Sequence, residues 1–327
     1  MDKIIIHYCC GTMYRGEIGG VPRYDYQISL AFPKRIFLEG PKEKNKLLNI
    51  LNSNKNAIVI TDNHLACDIP NEYNCILVHH GCAMTTSERN PDWGEPWKSL
   101  CTNGQNTMLN HRNTNNTLII TISQSCTDDF TYYYGDLYTK FNRLKVLHPS
   151  EFDENKFKKK WNDKPIVLGN WIGIKKGSKV INYLSHNIDK YKFKQLQVYI
   201  DNNGIDNFNE RKQNIYLNCD IFLQISNSEG NSYATLDALL CGLVVVSSNV
   251  GLFYNDVPED CFVKIEWQRN NDADYIKSKL DYAWENKEIL TKKAREWYFN
   301  NCRLNNWIQK MKDIVDNFQE LIKKNDN

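Results

Sequence analysis

Residues 226–251 read SNSEGNSYATLDALLCGLVVVSSNVG. Ser226 closes the apolar run Ile221–Ile225, and Glu229-Gly230-Asn231-Ser232 carries the chemistry of a turn. A helical pattern over Tyr233–Leu240 follows and stops at Gly242, and the unbroken apolar run Leu243–Ser247 comes next. Strand, turn, helix and strand in that order make a βαβ unit, whose two strands lie parallel. A run apolar at every position belongs to a strand covered on both faces. The stretch holds two carboxylates, Glu229 in the turn and Asp237 eight residues on, inside the helix. A helix that opens on a Glu-Gly turn points its first N–H groups at whatever binds there, which favours an anion.

The same alternation extends in both directions. After this unit, Cys261–Ile265 reads as a last strand, and from Asp272 the chain is helical and rich in Trp and Tyr, enough for two or three helices. Before it, Ile166–Gly169 and Leu196–Ile200 read as strands, with helices over Lys179–Ile188 and Asn207–Leu217. Earlier still, Lys3–Cys9, Ala57–Thr61, Cys75–His79, Thr117–Ser123 and Leu144–Leu147 read as buried strands. Val21–Ala31, Lys42–Asn52 and Cys126–Tyr134 read as helices between them. Between the two series lies 149–164, PSEFDENKFKKKWNDK, charged and poor in apolar residues. The expectation is an α/β protein of two doubly wound, Rossmann-like domains, 1–150 and 151–327, facing each other across a cleft at the carboxyl ends of their strands. The last helices of the chain could cross back to the first domain.

Bulk composition narrows the function. The chain has 327 residues, 41% hydrophobic and 24% charged, with a formal net charge of +2. That balance supplies no field for nucleic acid or an acidic membrane surface. Eleven cysteines, several of them (Cys9, Cys10, Cys75, Cys219, Cys241) in apolar or helical runs, fit buried thiols better than a disulfide framework. No C-x-x-C pair offers a metal site, and adjacent Cys9 and Cys10 on a strand point to opposite faces. MDKIIIHYCC is too short and interrupted for a signal peptide, and no segment approaches the ~20 apolar residues of a membrane helix. A cytoplasmic protein without a transmembrane segment follows.

Four places could carry chemistry. The first is Gly16-Glu17-Ile18-Gly19-Gly20-Val21-Pro22-Arg23, after the first strand and before a helix, where paired glycines let backbone amides approach a phosphate. It is not G-x-G-x-x-G, which argues against a dinucleotide dehydrogenase. The second is His79-His80-Gly81 at a strand's carboxyl end, where an imidazole can hydrogen-bond a sugar hydroxyl. The third is 169–177, GNWIGIKKG, running from strand to helix, with Lys175 and Lys176 as point charges for a diphosphate. The fourth is the opening stretch, where a partly buried Asp237 could accept two bonds from vicinal ribose hydroxyls. Trp93 and Trp97 in NPDWGEPW could stack on an acceptor sugar or pack a loop.

Together these features resemble the retaining glycosyltransferases of the GT-B fold, glycosyltransferase family 4. Gly19-Gly20 followed by VPRYDYQISLAF resembles that family's glycine loop, and HHG at 79–81 its first-domain histidine. Ile119–Ser123 with Gln124 and Ser125 resembles its strand ending in serine before a helix, and Lys176-Gly177 its Lys-Gly. Glu229 and Asp237, trailed by Ala238, Cys241 and Gly242, resemble its E-x7-E motif. The resemblance covers roughly the whole chain and is most specific in the last segment. Two departures stand out. Asn170 occupies the place of an arginine common in the family, and the second acid is Asp, one methylene shorter than Glu.

The resemblance implies transfer of a hexose-type sugar from a nucleoside-diphosphate sugar, UDP- or GDP-linked, to a hydroxyl acceptor, with retention of configuration and with no metal or other cofactor. It implies that Glu229 contacts the sugar and Asp237 the ribose. Lys176 or Lys175 would neutralise the diphosphate, helped by amides of Gly19, Gly20, Gly230, Asn231 and Ser232, with Asn170 at the same place. It also implies His80 as the first-domain histidine, with His79 second and Arg23 on the acceptor side. A front-face displacement follows, with the acceptor hydroxyl deprotonated by the leaving phosphate. Two rivals remain: a sugar-nucleotide epimerase of the same architecture, and a catalytically degenerate nucleotide-sugar-binding protein.

Overall fold

The structure is a computed structural model that describes residues 3–11, 19–158, 160–173, 176–197 and 204–323. The chain divides into two compact units, Met1–Leu147 with Asn305–Asn327, and His148–Leu304.

The first unit contains β1 (Ile5–Cys9), α1 (Gly20–Ala31), β2 (Ile36–Glu39), α2 (Lys44–Ser53), β3 (Ile58–Asp62), β4 (Asn74–His79), α3 (Ala83–Arg89), α4 (Trp97–His111), β5 (Thr117–Thr121), α5 (Gln124–Tyr134), α6 (Asp136–Thr139) and β6 (Asn142–Lys145). Its six strands form one parallel sheet in the order β2-β1-β3-β4-β5-β6. β3 (IVITD) and β5 (TLIIT) are buried at every position, as strands covered on both faces must be. The chain runs from β1 outward to β2 and then returns to β3 on β1's other side. This reversal puts the sheet's switch point between β1 and β3, where the carboxyl ends leave a crevice.

The second unit contains β7 (Ile166–Gly169), α7 (Ser178–Asn187), β8 (Lys192–Gln195), α8 (Gly204–Leu217), β9 (Ile221–Gln224), α9 (Tyr233–Cys241), β10 (Val244–Ser248), α10 (Leu252–Asn255), β11 (Val263–Ile265), α11 (Ala273–Glu285) and α12 (Lys287–Asn301). Its strands form a second parallel sheet, β11-β10-β9-β7-β8. Here the reversal falls between β7 and β9. α9 (YATLDALLC) is buried on all sides, because it packs against α8, α12 and the sheet. α13 (Leu304–Asp316) and α14 (Phe318–Ile322) close the chain, and from Asn305 they belong to the first unit. There Lys3 Nζ donates to the Val315 and Asp316 carbonyls, and Asn142 donates to the Ile322 carbonyl.

The expected α/β class with two doubly wound, Rossmann-like domains is what the structure contains. Several elements differ from expectation. The strand expected at Leu196–Ile200 lies at Lys192–Gln195, and residues 198–200 fall outside the described residues. It is an edge strand, KFKQ, whose two lysines are exposed, so it presents no apolar run. β2, one edge strand of the other sheet, is also absent from the expectation, although Ile36, Phe37 and Leu38 make a short apolar run. The strand expected at Leu144–Leu147 sits two residues earlier, at Asn142–Lys145. α3 and α4 occupy a stretch where no helix is predicted, and four helices follow Asp272 where two or three are expected. All eleven cysteines are free. Among the described residues no helix is long and apolar enough to cross a membrane.

Candidate active site

In the second unit, β7 and β9 are adjacent and parallel, so the loops leaving their carboxyl ends start side by side. Lys176 lies in the loop after β7 and Glu229 in the loop after β9. Their side chains meet, with Lys176 Nζ 3.0 Å from Glu229 Oε1 and both partly exposed. Ser226 Oγ donates to the same carboxylate oxygen at 2.8 Å. The pair thus stands at the sheet's switch point, with the N-terminus of α9 opening just after Glu229-Gly230-Asn231-Ser232.

Two glycines fix this geometry. Gly177 has φ +82, and a Cβ there would fall 2.2 Å from Ile225 Cδ1, so the turn that aims Lys176 needs glycine. Gly251 has φ +56 and lies directly against the Glu229 turn. A Cβ on it would sit 2.9 Å from the Gly230 carbonyl oxygen and 3.0 Å from that of Glu229. Gly251→Ala is expected to cost about 1–3 kcal/mol through backbone strain and to displace Glu229. Urea unfolding would register the first effect, and a loss of ligand affinity the second.

The other second-unit residues predicted from sequence are placed as follows. Asn170 follows β7 and accepts a long bond from Gln195 Nε2, at 3.4 Å. Asn231 is buried, and Ser232 precedes α9 without a side-chain cap. Lys175 lies outside the described residues. Asp237 is fully buried. Its Oδ1 accepts from Ser150 Oγ at 2.6 Å and its Oδ2 from Lys212 Nζ at 2.8 Å. The shorter second acid is therefore held by protein groups from α8 and from the segment that opens the unit.

In the first unit, His80 follows β4, and its Nε2 meets Asp62 Oδ1 at 2.8 Å. The Tyr24 ring sets its edge against the His80 ring, with centroids 4.9 Å apart. His79 is different. It is fully buried, stacked on Phe130 at 4.0 Å, and neither ring nitrogen has a hydrogen-bond partner among the described residues. Burial lowers its pKa to about 3, so it is a neutral core residue. Arg23 is buried in the first turn of α1. Gly19 precedes α1 and Gly20 begins it, and a Cβ on Gly20 would meet open space. The fold itself does not require glycine there. Trp97 begins α4 and is exposed, while Trp93 is half-buried. Gly16, Glu17 and Ile18 lie outside the described residues.

Sequence reasoning missed four partners: Asp62, Ser226, Lys212 and Ser150. Asp62 ends β3, and the signal was an acid closing an apolar strand, IVITD. Ser226 lay in the quoted stretch with no role assigned. Lys212, midway along a polar helix, gave no signal at all.

Among the described residues one cluster brings metal-binding atom types together: ligand atoms of His7, Cys9 and Asp25, all buried, lie within 4.8 Å of one another. Arg35 Nε, which can only donate, points at His7 Nδ1 at 3.3 Å. The His7 proton therefore sits on Nε2 and points at Asp25 Oδ1, 3.0 Å away. In that arrangement both ring nitrogens of His7 face protein groups.

No family model matches the sequence, and neither does any curated protein. Solved structures do match. Sucrose-phosphate synthase from Thermosynechococcus elongatus shares 11% identity over 97% of this chain and 99% of its own, with a TM-score of 0.70. Anabaena HepE, solved with UDP-glucose, shares 12% over 96% and 99%, with a TM-score of 0.66. WaaG, a glycosyltransferase involved in lipopolysaccharide biosynthesis, shares 13% over 95% and 99%, with a TM-score of 0.61. At such identities the likeness establishes the fold, which is that of the GT-B glycosyltransferases.

Proposed function

We propose that this chain is a glycosyltransferase that moves a hexose-type sugar from a nucleoside-diphosphate sugar to a hydroxyl acceptor, with retention of configuration and without a metal. The observation that carries the reading is the Lys176–Glu229 pair at the β7/β9 switch point, beside the N-terminus of α9. Breaking an anomeric bond builds positive charge on the sugar and negative charge on the departing diphosphate. An ammonium and a row of helix-terminal amides answer the second charge. A carboxylate beside them answers the first. HepE is solved with UDP and with UDP-glucose, which supports a UDP-sugar as donor ahead of a GDP-sugar.

In this reading Lys176 neutralises the diphosphate and Glu229 orients the sugar. His80, held by Asp62, receives a hydroxyl on the acceptor side. Glycine at 20 lets a phosphate or sugar approach the backbone closely. Asp237 serves the ribose through Lys212 and Ser150, or holds α9 against the start of the unit.

Thermal unfolding with UDP-, GDP-, ADP- and dTDP-sugars tests the reading. A matching donor at a hundredfold excess over Kd is expected to add about 2.7 kcal/mol of stability, unchanged by EDTA. An α-configured product from an α-configured donor, read by proton NMR, would support retention. Stabilisation lost with EDTA counts against the metal-free site. Conversion of the donor without an acceptor would favour an epimerase, and binding without turnover a degenerate binder.

A further inference from the structure

We propose that Asp25 and Asp62 share a single proton carried by Asp25, and that this neutral acid fixes Asp62 as the anion that positions His80. The consequence for transfer rests on the glycosyltransferase reading, whereas the proton itself does not.

Asp25, on α1, and Asp62, at the end of β3, are both buried beside the β1/β3 switch point. Each gives its Oδ1 to an imidazole: Asp25 to His7 Nε2 at 3.0 Å, Asp62 to His80 Nε2 at 2.8 Å. Both Oδ2 atoms are buried and without a placed hydrogen-bond partner among the described residues, and the two carboxyls lie within hydrogen-bond reach of each other, with the Cys9 thiol beside Asp25. Two bare carboxylate oxygens in contact repel strongly in a buried site, and a proton between them turns that contact into a bond.

The neighbours decide which acid holds it. Arg35 donates to His7 Nδ1, so His7 is neutral and offers Asp25 only one uncharged N–H. Burial keeps His7 neutral, with its pKa lowered to about 3. Asp62 instead accepts from His80 Nε2; burial works against its ionised form, but the imidazole beside it outweighs burial and holds the carboxyl below the usual range. Burial and the Asp62 charge push the Asp25 carboxyl well above it. Among the described residues, the Cys9 thiol and Tyr24 hydroxyl also face this pair, are pushed up by burial and stay protonated. Donation thus runs one way, from Arg35 through His7 and Asp25 to Asp62, which also accepts from His80. His80 keeps its Nε2 proton toward Asp62, and Tyr24 packs against the ring. Asp25 is accordingly a positioning residue, two steps removed from substrate.

Asparagine reproduces a neutral aspartic acid: its oxygen accepts from His7 and its amide donates to Asp62. Infrared difference spectra of wild type minus Asp25→Asn, in H2O and D2O at neutral pH, are expected to show one buried protonated-carboxyl stretch. Nitrogen NMR is expected to place the His80 proton on Nε2 in both proteins and to show a changed tautomer balance in Asp62→Asn. With turnover, Asp25→Ala is expected to lower kcat about tenfold and Asp62→Asn about a hundredfold, and Asp25→Asn to recover most of the alanine loss. Absence of the carboxyl stretch, or an Asp25→Asn protein as impaired as Asp25→Ala, overturns the proposal. Should no donor sugar be turned over, the infrared and NMR results still decide the proton, and only the transfer reading falls.

Discussion

Replacing Lys176 by methionine is expected to lower sugar transfer about 10²–10³-fold in kcat, the scale on which removing one preorganised donor acts. Methionine keeps an unbranched stem of similar length, so the loop after β7 and the Gly177 turn should survive. What disappears is the ammonium 3.0 Å from Glu229. Two losses then compound. The diphosphate leaves without the Lys176 cation beside it, and Glu229, left among the described residues with Ser226, repels the incoming diphosphate. The second loss makes a sharper test. Glu229→Gln should cost less in the Lys176→Met background than in wild type, because the charge it removes has become unfavourable. Steady-state turnover of a UDP-sugar, with UDP titration calorimetry on all four proteins, measures both effects. A Lys176→Met enzyme within threefold of wild type would remove Lys176 from the reaction, and strictly additive losses would remove its coupling to Glu229.

Why this pair was legible in the sequence, when other parts of the site were not, follows from topology. Lys176 and Glu229 each fall a few residues after an apolar strand, and β7 and β9 are neighbours in the sheet. A residue just beyond a buried strand can be placed at the sheet's carboxyl edge from pattern alone. Asp25 could not be placed this way. It sits inside a helical run, VPRYDYQISL, where an acid reads as a solvent-facing residue, and nothing local reports that the helix turns it toward β3. Asp237 shows the converse. Its spacing from Glu229 was visible, but its two partners come from residue 150 and from α8, contacts that arise only in tertiary packing.

Fold elements followed the same logic. Strands buried on both faces, such as β5, announced themselves by composition. The edge strand β8 did not, because one open side lets charge replace the apolar run. α4, WKSLCTNGQNTMLNH, buries only Gln105, Met108 and Leu109, too few apolar positions to mark a helical stripe.

The largest effect on stability is expected from Asp220→Ala, at the opposite end of the same sheet. Asp220 immediately precedes β9 and is fully buried. It accepts from the Asn162 amide at 3.0 Å, from Asn162 Nδ2 at 2.8 Å and from the Ile166 amide at 2.7 Å. Lys158 Nζ, with only 4% of its side chain exposed, lies 3.0 Å away. Removing the carboxylate strands a buried ammonium and two backbone amides, at a cost of about 3–5 kcal/mol. Asp220→Ala with Lys158→Met should be less destabilised than Asp220→Ala alone. The double variant removes the stranded charge but leaves the two amides unpaired, at about 1–3 kcal/mol each. Urea midpoints of the single and double variants separate these contributions. Because Asp220 anchors the amino ends of β7 and β9 while Lys176 and Glu229 stand at their carboxyl ends, UDP affinity of the folded Asp220→Ala protein should change little. A weakening of UDP binding as large as that in Lys176→Met would mean that the two ends of the sheet are coupled, and that the segment at Asp220 shapes the site as well as the fold.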